Sequence, residues 1–128
     1  MSKARILYIE DNLDNMILVK RILEASGYEV INAETGSEGV SKAEQLKPDL
    51  VITDINLPDI DGYEVTQRLK KSSQTASIPV VAMTANVMQQ DREKVSQAGC
   101  DGYIAKPIDV DSLPDQVEHF IRGNKNVR

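Results

Sequence analysis

Cysteine occurs once in the 128 residues, as Cys100, and histidine once, as His119. A single thiol excludes an intrachain disulfide and any metal site built from several thiolates. Lys and Arg together number 15 against 20 Asp and Glu, a formal net charge of −5, and no Lys/Arg-rich block interrupts the chain. A surface for phosphate backbones is therefore lacking, and direct nucleic-acid binding is not expected. No apolar run approaches the roughly 20 residues that a membrane span requires, so no membrane partner is expected. Met1-Ser-Lys-Ala-Arg5 leads into Ile6-Leu7-Tyr8-Ile9 without a signal-peptide core, and the expected location is cytoplasmic. Internal repeats and low-complexity tracts are absent, Gly36-Ser-Glu-Gly39 is no dinucleotide fingerprint, and no Gly-Lys-Ser/Thr phosphate loop occurs. Asp59-Ile60-Asp61-Gly62 hints at a calcium loop, but with Gly62 at the sixth position the loop closes on Arg68, where that loop needs an acid.

What the chain does have is 41% hydrophobic residues in a length that suits one domain, which excludes wholesale disorder and a multidomain enzyme. Short β-branched runs alternate with helical patterns, the layout of an α/β domain with a parallel sheet. The strand candidates are Arg5–Ile9, Glu29–Ala33, Leu50–Thr53, Val80–Met83 and Gly102–Ala105. The first, third and fourth are almost continuously apolar, as strands covered on both faces are. Leu13, Met16, Ile17, Val19, Ile22 and Leu23 mark the first helix, ended by Gly27; Val40, Ala43 and Leu46 mark the second, stopped by Pro48. Val65 and Leu69 follow Gly62 in the third, Val87, Val95 and Ala98 precede Gly99 in the fourth, and Val110, Leu113, Val117, Phe120 and Ile121 mark the fifth. Five such units predict a doubly wound, flavodoxin-like sheet of order 2-1-3-4-5, whose ligands bind at the carboxyl ends of the strands where the first and third diverge. The domain is expected over residues 1–122, with 123–128 as a flexible tail.

The residues that end these strands are Glu10 and Asp11, then Asp54, Thr84 and Lys106, and the topology brings them to one edge of the sheet. Two like charges about 4 Å apart repel by roughly 4 kcal/mol at an effective dielectric near 20, so three acids there require cations. Lys106 supplies one. Hard oxygen ligands on loop ends are also what Mg²⁺ prefers, usually beside a phosphate. A site for a metal and a phosphoryl group together follows. Asp54, already ionised near neutral pH, needs no histidine base to act as a nucleophile and would form an acyl phosphate. Thr84 can donate its hydroxyl to the transferred group, and Lys106 can sit against a phosphoryl oxygen.

Glu10-Asp11, Asp54-Ile-Asn-Leu-Pro58 with Asp61-Gly62, Thr84-Ala85 and Tyr103-Ile-Ala-Lys-Pro107 together resemble the receiver domains of two-component response regulators, over about Lys3 to Ile121. The resemblance implies that Asp54 accepts phosphate from a histidine kinase or a histidine phosphotransfer protein. It also implies that Asp11 and Asp54 bind Mg²⁺ directly, Glu10 through water and Asn56 through its main-chain carbonyl. Thr84 and Lys106 would hold phosphoryl oxygens. Thr84 and Tyr103 would form a switch altering the face made by the fourth helix, fifth strand and fifth helix, where a downstream protein binds. Lys106-Pro107 is expected to be cis, as X-Pro bonds permit most cheaply. Glu10 stands where many members have aspartate, and the resemblance implies that Asn56 and Asn86 occupy positions that tune dephosphorylation in that family. Asp11-Asn12-Leu13-Asp14-Asn15, Met83-Thr84-Ala85-Asn86 and Gly99-Cys100-Asp101-Gly102-Tyr103 resemble hybrid-kinase receivers and stand-alone cell-division regulators more than receivers fused to DNA-binding domains.

Blander readings stand beside these. Asp11 or Thr84 alone could cap a helix, Asp54 alone could be a turn residue, Lys106 a solvated loop lysine and Tyr103 a half-buried strand residue. His119 reads as an exposed helix position and Cys100 as a packing residue. Rival functions are an aspartyl-phosphate phosphatase, against which stands Asn56 where such enzymes want a second acid, and an interaction module that keeps only the fold. The Met1 start and the stop soon after the fifth helix suit a stand-alone regulator, although the N-terminal receiver of a longer protein would read the same. The expectation is a signalling switch that assists its own phosphorylation and dephosphorylation, not a turnover enzyme.

Overall fold

Side chains of a strand point alternately to its two faces, so a strand buried at every position must be covered on both sides. The computed structural model describes residues 4–85 and 89–126. In it β3 (Leu50–Asp54) and β4 (Val80–Thr84) are buried throughout, and β1 (Arg5–Ile9) at all but its first residue. These are the three central strands. β2 (Glu29–Ala33) and β5 (Gly102–Ala105) mix buried and open positions and form the two edges. All neighbours are parallel, in the order β2-β1-β3-β4-β5, as the spacing of apolar runs predicts.

Helices cover the sheet on both faces. On one, Met16, Val19 and Leu23 of α1 (Leu13–Ala25) and Leu113, Val117 and Ile121 of α5 (Leu113–Asn126) pack on Ile6, Tyr8, Ile52 and Met83. On the other, Ala43 of α2 (Gly36–Leu46) and Val65 and Leu69 of α3 (Gly62–Lys71) pack on Leu7, Ile9, Val51 and Val80. α4 (Gln89–Ala98) lies beside α3 and buries Val95 and Ala98. Gly27 and Gly99 carry the positive φ, +96° and +94°, that ends α1 and α4. Lys47 does the same for α2 at φ +47°, just before Pro48.

Several sequence expectations are corrected. Leu13 and Ile17 are exposed: Leu13 opens α1, and Ile17, next to 16, points about 100° away from the buried stripe that residues 16, 19 and 23 define. Leu46 and Val110 are also exposed; Val110 lies in the turn before α5 and not in the helix. β3 and β4 each run one residue further than their apolar runs, so Asp54 and Thr84 are strand residues, paired in register with Met83 and Ala105. Helix α5 continues through Asn126, which makes residues 123–126 helical backbone where a tail was expected. Asn86 and Val87 lie outside the described residues.

Candidate phosphoacceptor and metal site

Each chemical group is delivered to the sheet edge by the end of a strand. Glu10 follows β1 and is held there by its N–H, which donates to Ala33 O at 2.9 Å. Asp11 is next, exposed. The helix cap falls to Asn12, whose side chain accepts from Asn15 N at 2.9 Å, so Asp11 is not spent on capping. Asp54 closes β3 and Thr84 closes β4; neither is a turn or a helix cap. Lys106 follows β5, with its N–H donating to Thr84 O at 2.8 Å, and the Lys106-Pro107 bond is cis.

The three acids form one cluster: an oxygen from each of Glu10, Asp11 and Asp54 lies within 4.8 Å of the others. Glu10 and Asp54 are almost wholly buried, 1% and 6% exposed. The Lys106 ammonium bridges them, 3.0 Å from Asp54 Oδ1 and 3.3 Å from Glu10 Oε1. Ile55 N–H also donates to Asp54 Oδ1, at 3.0 Å.

These contacts set the protonation of the pair. Burial raises the pKa of Asp54, as does the charge of Glu10, and Lys106 opposes both without cancelling them. Burial pushes Glu10 the same way. There the hydrogen bonds from Tyr8 and Asn12 and the Lys106 charge outweigh it, and the pKa falls. Lys106 loses solvation by burial, yet its two acid partners hold it above its ordinary value, so it stays a cation.

The remaining predicted residues sit nearby in the fold. Asn56 is exposed, two positions beyond Asp54 in the loop that Gly62 closes by donating its N–H to Ile55 O at 2.9 Å. Tyr103 is half-buried on β5, in register with Ala82. His119 is exposed on α5 with its ring edge-on to Phe120. Cys100 Sγ lies 3.3 Å from Thr66 Oγ1, and burial raises its pKa, the behaviour of a packing residue and not of a reactive thiol.

Three contributors escape a reading by residue type alone. Tyr8, fully buried, donates its hydroxyl to Glu10 Oε1 at 2.9 Å. Their spacing of two on a strand was the available signal, since it puts both on one face. Gly62 is needed for a close approach: a Cβ there would lie 2.5 Å from Asp54 O and 2.9 Å from Ile55 Cα. Asp59 ties the same loop to α2 by accepting from Gly36 N at 2.8 Å and Ser37 N at 3.0 Å. Nothing in the sequence links those residues.

An α/β sheet of this order with an acid cluster and a lysine at its carboxyl edge defines the response regulator receiver class, and the profile of the response regulator receiver domain matches residues 6–118. The chain belongs to that family. It is 40% identical over 116 residues to the polar-differentiation response regulator DivK of Brucella anthropi, covering 91% of this chain and 94% of that one. DivK of Brucella ovis matches at 40% over 121 residues, 94% of this chain and 98% of that one. Among solved structures, the receiver domain of a Pseudomonas aeruginosa sensor histidine kinase, with a magnesium ion coordinated in its active site cleft, superposes with TM-score 0.87 at 33% identity, covering 94% of this chain and 99% of that one. A chemotaxis response regulator of Vibrio cholerae does so with TM-score 0.88 at 25% identity, covering 93% of this chain and 99% of that one.

Proposed function

We propose that Asp54 accepts a phosphoryl group from a histidine kinase or a histidine phosphotransfer protein, with Mg²⁺ in the acid cluster, making the domain a switch in a two-component phosphorelay. The carrying observation is the gathering of Glu10, Asp11 and Asp54 oxygens within 4.8 Å of one another, with the Lys106 ammonium on Asp54 and Glu10. Among the described residues, three negative charges against the one positive charge paired with them leave two unneutralised, which fits a divalent cation. All-oxygen donors suit a hard ion such as Mg²⁺. Glu10, Asp11, Asp54 and the main-chain carbonyl of Asn56 would hold it, and its chemistry there is to offset charge on the acids and on phosphoryl oxygens. The magnesium in the Pseudomonas aeruginosa receiver supports the same ion here.

In the transfer an Asp54 oxygen attacks phosphorus. The new O–P bond forms as the P–N bond to the donor imidazole breaks, and the electron pair leaves with that nitrogen. Lys106, 3.0 Å from Asp54 Oδ1, is within reach of an oxygen on the transferred group. Thr84, at the end of the intervening strand, donates its hydroxyl to another. Movement of Thr84 toward the phosphate, with Tyr103 turning inward, would then alter the α4-β5-α5 face and the affinity for a downstream protein. A cytoplasmic location belongs to the same reading; no helix among the described residues is long and apolar enough to cross a membrane.

Intact-mass spectrometry after incubation with acetyl phosphate and Mg²⁺ tests it. One phosphoryl group per chain is expected, not formed when the divalent ion is chelated beforehand and absent from Asp54→Asn. An unchanged mass, or labelling of Asp54→Asn, overturns the reading.

A further inference from the structure

We infer that Tyr8 is a positioning residue for the Mg²⁺ site: its buried hydroxyl fixes the carboxylate of Glu10 and thereby sets metal affinity. The inference rests on the metal reading above and concerns a residue that touches neither the metal nor the phosphoryl group in it.

Glu10 has one methylene more than an aspartate, so its carboxylate has one more torsion to fix before it can serve a metal or a metal-bound water. Its surroundings fix it unevenly. Oε1 accepts from Tyr8 Oη at 2.9 Å, from Lys106 Nζ at 3.3 Å and from Asn15 Nδ2 at 3.4 Å, whereas Oε2 accepts from Asn12 N at 3.2 Å. Three donors crowd Oε1, so Oε2 keeps the greater capacity to accept from a water of a metal's shell. Among the three, Tyr8 is the shortest contact and comes from within β1, one residue before its end. Lys106 is shared with Asp54, and Asn15 sits on the first turn of α1. Met83 Sδ, 3.4 Å from the same hydroxyl, is the weaker acceptor, so the phenol proton belongs to Glu10. The longer acid and the tyrosine beneath it thus act as a unit. The added methylene lets the carboxylate reach the phenol, and the phenol removes the freedom the methylene adds. Partners that orient a metal ligand in this way influence affinity without touching the ion.

Calorimetric titration of the full chain with Mg²⁺, in the absence of any phosphoryl donor, tests the pairing in wild type, Tyr8→Phe, Glu10→Asp and the double variant. Tyr8→Phe should weaken Mg²⁺ binding roughly tenfold, the lower end for loss of an outer-shell hydrogen bond. In the Glu10→Asp background, where the side chain is too short to reach the phenol, the same change should alter affinity less than about twofold. A role confined to packing would lower thermal stability alike in both backgrounds and leave Mg²⁺ affinity unmoved, which overturns the inference. Equal loss of affinity in both backgrounds overturns it too. Wild type failing to bind Mg²⁺ overturns the metal reading itself, which separates the two failures. Should Tyr8→Phe not fold, the near-ultraviolet tyrosine band of wild type and Glu10→Asp decides. Loss of a charged acceptor must shift it, and an unshifted band overturns the proposal.

Discussion

The Lys106 ammonium reaches across β4 to lie 3.0 Å from Asp54 Oδ1, joining the loop after β5 to the end of β3. Both groups are largely buried, so the ion pair offsets a desolvation cost that neither could bear alone. In chelator-treated protein Lys106→Met leaves Glu10 and Asp54 facing each other without a cation. Urea unfolding at pH 7 should show a loss of about 3 kcal/mol, the lower end for one partner of a buried pair removed. The loss should shrink on acidification as the acids protonate. A change under about 1 kcal/mol at pH 7 would mean that the pair is effectively solvated.

Removal of the acid acts the other way. The raised pKa of Asp54 means that its ionised form is disfavoured in the fold, so the metal-free protein gains stability as pH falls through the folded pKa, and lacks that stability above it. An amide at this position avoids the charge at every pH. Asp54→Asn should therefore be more stable than wild type by about 1 kcal/mol at pH 7 without divalent ions, with the two converging toward pH 4. Added Mg²⁺ should raise the wild-type melting temperature more than that of Asp54→Asn, since only ligands of the folded state stabilise it and the variant has lost one. Equal shifts would remove Asp54 from the metal site.

Gly62 tests whether the loop after the phosphoacceptor depends on close backbone contact. The atoms a Cβ would meet, Asp54 O and Ile55 Cα, are main chain and cannot turn aside. Gly62→Ala should cost about 2 kcal/mol, as overpacking does, and should slow phosphorylation by acetyl phosphate because the backbone of Asp54 must shift. Gly123→Ala is the control: nothing lies within 4 Å of that Cβ, and alanine inside α5 should be neutral or stabilising by up to about 1 kcal/mol.

The parts of the site most legible in the sequence are those set by strand geometry. Ile6 to Ile9 are apolar without a break, which places them mid-sheet and puts Glu10 and Asp11 at its edge, and Leu50 to Thr53 do the same for Asp54. Side-chain exposure on α1 was less legible. Leu13, Ile17 and Met16 are equally apolar, and only the position of the sheet under the helix decides that Met16 goes inside. Tyr8 was hidden by its own hydrophobicity: a strand tyrosine among isoleucines reads as core, and the hydroxyl matters only once Glu10 is known to turn inward. Partnerships across loops, such as Asp59 with Gly36 and Ser37, leave no local pattern.

That last partnership yields a prediction of opposite sign to the one for Asp54. The first four N–H groups of a helix lack partners within it. In α2 three of them are satisfied by side chains, Gly36 N and Ser37 N by the Asp59 carboxylate and Glu38 N by Thr35 Oγ1 at 3.0 Å, and the Thr35 carbonyl takes the first bond of the helix, from Gly39 N at 3.0 Å. Hydrogen bonds from the Ser37 hydroxyl and the nearby amides, favouring the ionised form, hold the Asp59 pKa well below its ordinary value. A depressed pKa contributes stability above the unfolded value of about 4, lost as pH falls through the folded pKa. Asp59→Ala should thus melt below wild type at pH 7, and the gap should narrow as pH drops below about 4, while Asp54→Asn in metal-free buffer melts above wild type at pH 7. Melting curves of the three proteins across that range check both signs at once. A gap for Asp59→Ala that stays constant with pH would assign the loss to packing of the loop on α2 and not to the carboxylate.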